Sequence, residues 1–134
     1  MKEITLKEWS AYLPYGLKLW YEDNKDIYPL VVSNNTVSIR GGFNINDVKS
    51  YNLKPILYDL SWLTREITHE GETFIPLYKL QKIDKAFVLT FIETFGYEEL
   101  KVEVFELLLE WRFNVFSLPN ELIVRVTEDF NPYK

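Results

Sequence analysis

Residues 65–72 read REITHEGE and gather the side chains best able to do chemistry: the chain's single histidine, His69, stands among Glu66, Glu70 and Glu72. An imidazole beside carboxylates makes either an acid–base pair or part of a divalent-metal shell. His69, Glu70 and Glu72 are therefore the candidate metal ligands, and a small metal-assisted hydrolase using His69 and nearby carboxylates is one functional reading. The spacing argues against it. No H-E-x-x-H pattern occurs, so further ligands would have to come from distant parts of the chain. Gly71, inside the set, marks a solvent-exposed turn in which carboxylates are simply hydrated. The chain has no Cys and no G-x-S-x-G pattern, and one His permits at most one Ser-His-acid set. Gly41-Gly42 is the only glycine pair and fits neither phosphate-binding pattern, so it reads as a turn or bulge. No catalytic residue is assigned on these grounds, and no cofactor is expected.

Aromatic side chains form the second candidate set. They make up 16% of the chain, and Tyr12, Tyr15, Trp20 and Tyr21 surround a Pro14-Tyr15-Gly16 turn. Exposed rings stack on bases, sugars or proline-rich peptides. Trp9 and Trp20 fit apolar positions of their elements, however, so burial explains most of these rings. Tyr15, at the turn, is the one expected to face outward. The net charge of −5 opposes binding to a phosphate backbone. The densest basic group, Lys79 with Lys82 and Lys85, lies along one side of a helix and reads as a solvated face. A nucleic-acid-binding accessory protein is therefore the least favoured reading.

These residues need elements to position them. The chain has 134 residues, 47% of them apolar and 26% charged, which suits one domain over residues 1–134 with a single core. Thr5-Leu6-Lys7-Glu8 is a capping box opening a short helix with Leu6, Trp9 and Leu13 on one stripe. Strands follow at 17–21 and 27–33, the second with Pro29 near its start, tolerable on an edge. After the Asn34-Asn35 turn, residues 36–40 alternate as a half-buried strand. Together these make an antiparallel meander. Residues 43–52 read as a connector and 53–58 as extended, since Lys54 precedes Pro55. Asp59 or Ser61 caps a short helix through Ile67. A turn at residues 69–72 leads to a short strand at 73–75, and Pro76 opens a helix to about Ile83. The continuous apolar run at 86–92 leans to strand, and Glu121 to Thr127 reads as the last strand.

The long helix expected at about 98–116 carries two apolar stripes at ~100° per residue. Leu100, Val104, Leu107, Leu108, Trp111 and Val115 share one, while Val102, Phe105, Leu109, Phe113 and Phe116 share the other. Glu99, Glu103, Glu106, Glu110 and Asn114 fill the polar side, with Arg112 as a divider, so Glu110 and Arg112 do not converge. A helix packed on two sides meets its own sheet with one and a second layer or another molecule with the other. The period-2 alternation of residues 100–104 allows a start only near Phe105.

LPYGLKLW (13–20), KPILYDLSWLTREI (54–67), GETFIPL (71–77) and LLEWRFNVFSL (108–118) resemble a group of small phage- and prophage-encoded proteins of Bacteroides-type bacteria. The blocks cover about a third of the chain. The chain departs from that pattern at Arg112, where the group often has His, at Asn114 in place of Asp, and at Asp59 and Trp62. Any His–Asp pair on that helix in the group is thus missing here. The resemblance implies a phage or mobile-element origin and no particular activity.

The resulting expectation is an α+β fold: an N-terminal antiparallel sheet with packed helices, the longest near the C-terminus. The favoured function is a non-enzymatic accessory protein acting through protein–protein contacts, with another protein or itself as a homo-oligomer. Tyr15, Phe105, Leu109, Phe113 and Phe116 are the partner-binding candidates. The start, MKEITLKEWSAYL, lacks a signal-peptide h-region, and no apolar run approaches a spanning helix, so no membrane role and a cytoplasmic location are expected. The absence of cysteine suits a reducing compartment.

Overall fold

Segments that alternate in hydropathy and end at turn residues become strands in the computed structural model of the chain. It describes residues 4, 8, 11–12, 15–21, 25–33, 36–39, 43–44, 53–85 and 96–133. The fold is α+β. The chain divides into two compact units, Met1–Leu57 with Leu118–Arg125, and Tyr58–Ser117 with Val126–Lys134. The Thr5 cap, the Asn34-Asn35 turn, Gly41-Gly42 and the 86–92 segment lie outside the described residues, although Glu8 and Ala11 are helical. No helix among the described residues is long and apolar enough to cross a membrane.

The first unit holds a six-stranded sheet. Its strands are β1 (Lys18–Tyr21), β2 (Asp26–Ser33), β3 (Thr36–Ile39), β4 (Phe43–Asn44), β5 (Leu53–Leu57) and, late in the chain, β8 (Val124–Arg125), in the order β4-β3-β2-β1-β5-β8. The first five pair antiparallel and β8 joins β5 in parallel. Phe43 and Asn44 therefore belong to a strand and not to a connector, because they pair with Ile39 and Ser38. The expected strand at 121–127 is shorter, a 3-10 turn over Asn120–Leu122 followed by the two residues of β8. Pro29 is accommodated without β2 being an edge. Asp26–Pro29 pairs with β1 and Leu30–Ser33 with β3, so Pro29 sits at the handover and has a ladder neighbour on one side only. Pro55 repeats the device in β5, whose first three residues pair with β1 and last two with β8. A proline lacks the N–H a doubly paired position would use, and both avoid such a position.

The second unit begins at Tyr58. A 3-10 turn over Leu60–Thr64 is capped by Asp59, whose carboxylate accepts from the Ser61 N–H at 3.2 Å. It does not run on to Ile67 as expected. Arg65 is extended, and β6 (Ile67–His69) pairs antiparallel with β7 (Glu72–Phe74). The hairpin wins because Glu70 and Gly71 both adopt positive φ, 51° and 81°, as a type I′ turn requires. Pro76 then opens α1 (Pro76–Ile83).

The long C-terminal helix is corrected most. Residues 97–99 form a separate 3-10 turn, and α2 spans only Val102–Glu110. At its end the Phe113 N–H donates to the Leu108 carbonyl and the Arg112 N–H to the Leu109 carbonyl, both at 2.9 Å. That is a Schellman ending. Arg112, with φ of 62°, occupies the left-handed position that glycine usually takes. Just beyond it Phe113 forms an isolated parallel bridge with Tyr58: the Tyr58 N–H donates to the Arg112 carbonyl at 2.8 Å and the Asn114 N–H to the Tyr58 carbonyl at 2.9 Å.

Candidate functional site

The β6–β7 hairpin carries the residues of the REITHEGE stretch to three different places. Along β6 side chains alternate, so Ile67 is buried and His69 mostly so, while Thr68 meets Thr73 across the outer face, hydroxyl to hydroxyl at 2.9 Å. The His69 side chain is 10% exposed, and its Nε2 lies 3.2 Å from Glu110 Oε2 and 3.9 Å from Glu70 Oε1. That nitrogen is buried and makes no well-formed hydrogen bond among the described residues. Glu72, although paired with His69 in the strand register, gives its carboxylate to Lys79, whose ammonium also lies 4.0 Å from the centre of the Phe74 ring. Glu66 is exposed and lines a cleft. Among the described residues no group of three or more His, Asp or Glu could hold a metal ion. The proposed ligand set of His69, Glu70 and Glu72 is thus not assembled. Glu110, the carboxylate nearest His69, was missed because it arrives from the end of α2, and no sequence spacing announces it.

The candidate partner-binding side chains are mostly spent within the chain. Phe113 is completely buried and stacks on Tyr58, with ring centres 5.4 Å apart. Phe105, Phe116 and Tyr97 form an aromatic triad, with Phe116 edge-on to Tyr97 at 4.9 Å. Leu109 and Phe116 are buried, and Phe105 is half-buried. These positions do not form a free second stripe, because α2 stops before Phe113 and the following residues fold back on the unit. Tyr15, at its turn, is half-buried, with its N–H donated to the Tyr12 carbonyl at 3.1 Å.

The Glu110–Arg112 pair also resolves into separate roles. Glu110 faces His69, whereas the Arg112 guanidinium lies over the Tyr133 ring, 4.3 Å from its centre. Burial pushes Arg112 below the usual arginine value, and the neighbouring Tyr133, Tyr58, Glu110 and Glu70 oppose that push. Tyr58 shows the converse. Burial raises its phenol above the usual value, against the hydrogen bond from Asn131 and the nearby charge of Arg112.

A cleft of about 340 Å³ opens on the other side of β6. Trp62 and residues 65–68 line it from one stretch of the chain, and Thr127, Glu128 and Asn131 line it from another. Its polar groups are held in place from behind. Asn131 Nδ2 donates to the Tyr58 hydroxyl at 3.1 Å, and Thr127 Oγ1 accepts from the Phe130 N–H at 3.1 Å. The Arg65 guanidinium lies 3.8 Å from the centre of the Trp62 ring and forms an ion pair with Glu128. Glu66 is exposed and has neither an ion pair nor a hydrogen bond among the described residues. The described residues that line the cleft include two carboxylates, one guanidinium, two hydroxyls and an amide, and no histidine.

The main chain of Thr68 adds a further donor and acceptor. No strand among the described residues pairs with the outer edge of β6. His69 and Glu72 close the two-residue turn as a hydrogen-bonded pair, so the antiparallel alternation directs the Thr68 N–H and C=O away from β7. Compared with family models, curated proteins and solved structures, the chain matches none.

Proposed function

We propose that this chain is a non-catalytic binding protein that acts through protein–protein contacts, with the cleft beside β6 as its contact surface. The observation that carries the reading is the outer edge of β6, with which no strand pairs among the described residues and whose Thr68 main-chain groups border a cleft lined by Trp62, Thr127 and Asn131. An exposed strand edge is a ready template for another polypeptide. A preformed concavity reduces the ordering cost of binding. A phage or mobile-element origin, implied by the sequence blocks, belongs to the same proposal.

The test is a selection of displayed linear peptides against the immobilised full-length chain. Amide spectra of the isotope-labelled chain, titrated with the enriched peptides, then locate their site. Expected are peptides that bind at micromolar concentration and shift residues 62–68 and 127–131. No enrichment over a bare surface, or shifts confined to other residues, would refute the reading. If the chain competes for its own cleft, sedimentation at micromolar concentration will show a dimer that the enriched peptides dissociate.

A further inference from the structure

We infer that the cleft takes its partner as an added strand along β6 and that this strand carries a lysine or arginine that meets Glu66. The inference rests on the cleft being a protein-binding surface and adds the geometry and charge of what occupies it.

The geometry follows from the hairpin. Ile67 and His69 spend their main-chain groups on β7, while the N–H and C=O of Thr68 point outward together. One outward-facing residue engages an extended neighbour through a donor and an acceptor, the repeat unit of a β-ladder. A helical partner would keep its own main-chain groups occupied and leave both unmet. The edge is short, so main-chain pairing sets the direction of the guest while the walls must supply selectivity.

Those walls carry charge. Arg65 is already satisfied twice, by Glu128 through its ion pair and by Trp62 through its face. Glu66 is the next residue, lines the same cleft, and has no partner among the described residues. The cleft is therefore left with a net negative charge, the same sign as the whole chain at −5. A cationic side chain on the guest restores balance beside Glu66. An acidic one, or a nucleic acid phosphate, meets repulsion. Lysine and arginine also carry long apolar stems able to lie against the cleft walls.

The peptides enriched against the full-length chain are the probe, measured with Glu66→Gln, Glu66→Lys and Thr68→Pro. Glu66 is exposed, and the Thr68 N–H makes no bond to β7, so these changes leave the hairpin ladder intact. Expected is an enriched set with a recurrent lysine or arginine, binding about tenfold weaker to Glu66→Gln. Repeating the selection on Glu66→Lys should enrich acidic peptides instead. Thr68→Pro should abolish binding of the original set, and circular dichroism checks that the variant is folded. Should Thr68→Pro unfold, the two Glu66 variants alone still decide the charge claim, and amide exchange protection of Thr68 in the peptide complex decides the strand. Peptides that map to the cleft without a basic residue, or that bind Glu66→Lys unchanged, overturn this inference and leave the cleft as a binding surface. A selection that yields nothing overturns both.

Discussion

Trp62 and Asn131 each stand between two settings of opposite character. Behind them is a closed aromatic cluster around Tyr58; in front is the open cleft beside β6. In the cluster, Tyr58 is stacked on Phe113, edge-on to Trp62 at 5.4 Å and tilted against Tyr133 at 6.0 Å. Its hydroxyl is held by Asn131 and its main chain by Arg112 and Asn114. In the cleft the charged groups are exposed. The Arg65 and Glu128 side chains are 42% and 77% exposed, and Glu66 has no partner among the described residues. A buried contact is costly to lose because nothing replaces it, while an exposed ion pair exchanges with water at small cost. The contrast assigns stability to the cluster and, under the proposed function, recognition to the cleft, which shares Trp62 and Asn131 with the cluster.

Substitutions should separate the two settings. Phe113→Ala removes a fully buried ring and should cost about 3–5 kcal/mol, read from the urea midpoint. A loss below about 1 kcal/mol would mean that the cluster does not hold the unit together.

Tyr58→Phe keeps the ring and deletes only the hydroxyl that bonds Asn131. The expected loss is about 0.5–1.5 kcal/mol at neutral pH. The same variant tests the alkaline limb. Tyr58 has its pKa raised in the fold from 10.0, chiefly by burial, so above that pH the unfolded chain gives up a proton that the folded chain keeps. Its contribution is complete below pH 10.0 and is lost as pH climbs towards the raised folded value. Stability of the parent should therefore fall more steeply with pH in that window than stability of Tyr58→Phe. Identical alkaline slopes would count against a buried, neutral Tyr58.

The smallest change is expected at the cleft mouth. Glu128→Gln breaks the exposed pair with Arg65 and should alter stability by less than about 1 kcal/mol, with the difference shrinking further in high salt. It should nevertheless alter which peptides the chain selects, because it changes the charge beside Glu66. A stability loss of about 3 kcal/mol would erase the distinction between the two settings.

Much of the local structure can be read directly from residue types. The alternation in β3, the Lys54-Pro55 bias to extension in β5, the turn at residues 69–72 and the opening of α1 by Pro76 all rest on neighbours a few residues apart. The end of α2 was not legible. Its left-handed position holds Arg112 where a glycine would announce the stop, and Phe113 and Phe116 continue the apolar period past it. The helix expected through Ile67 rested on its cap, and Asp59 does cap the segment, but a cap marks where a helix starts and not how far it runs. Pairing of Ile67 with Phe74 across the hairpin ends it at Thr64.

The candidate site was less visible still. His69 and its neighbouring glutamates stand out in the sequence, but their distribution among Glu110, Lys79 and the cleft depends on groups far along the chain. The cleft needs residues 62–68 and 127–131 together, and neither stretch carries a recognisable motif.

Composition and order alone determined the net negative charge, the absence of thiol chemistry, the single imidazole and most of the short elements, because these depend on residue identity or on contacts within one turn. Tertiary structure alone decided which carboxylate His69 meets, why Phe113 is core and not a docking surface, and that no described strand pairs with the outer edge of β6. Each of those outcomes depends on which distant segment fills the space beside a side chain. Side-chain burial and main-chain pairing are settled by that competition.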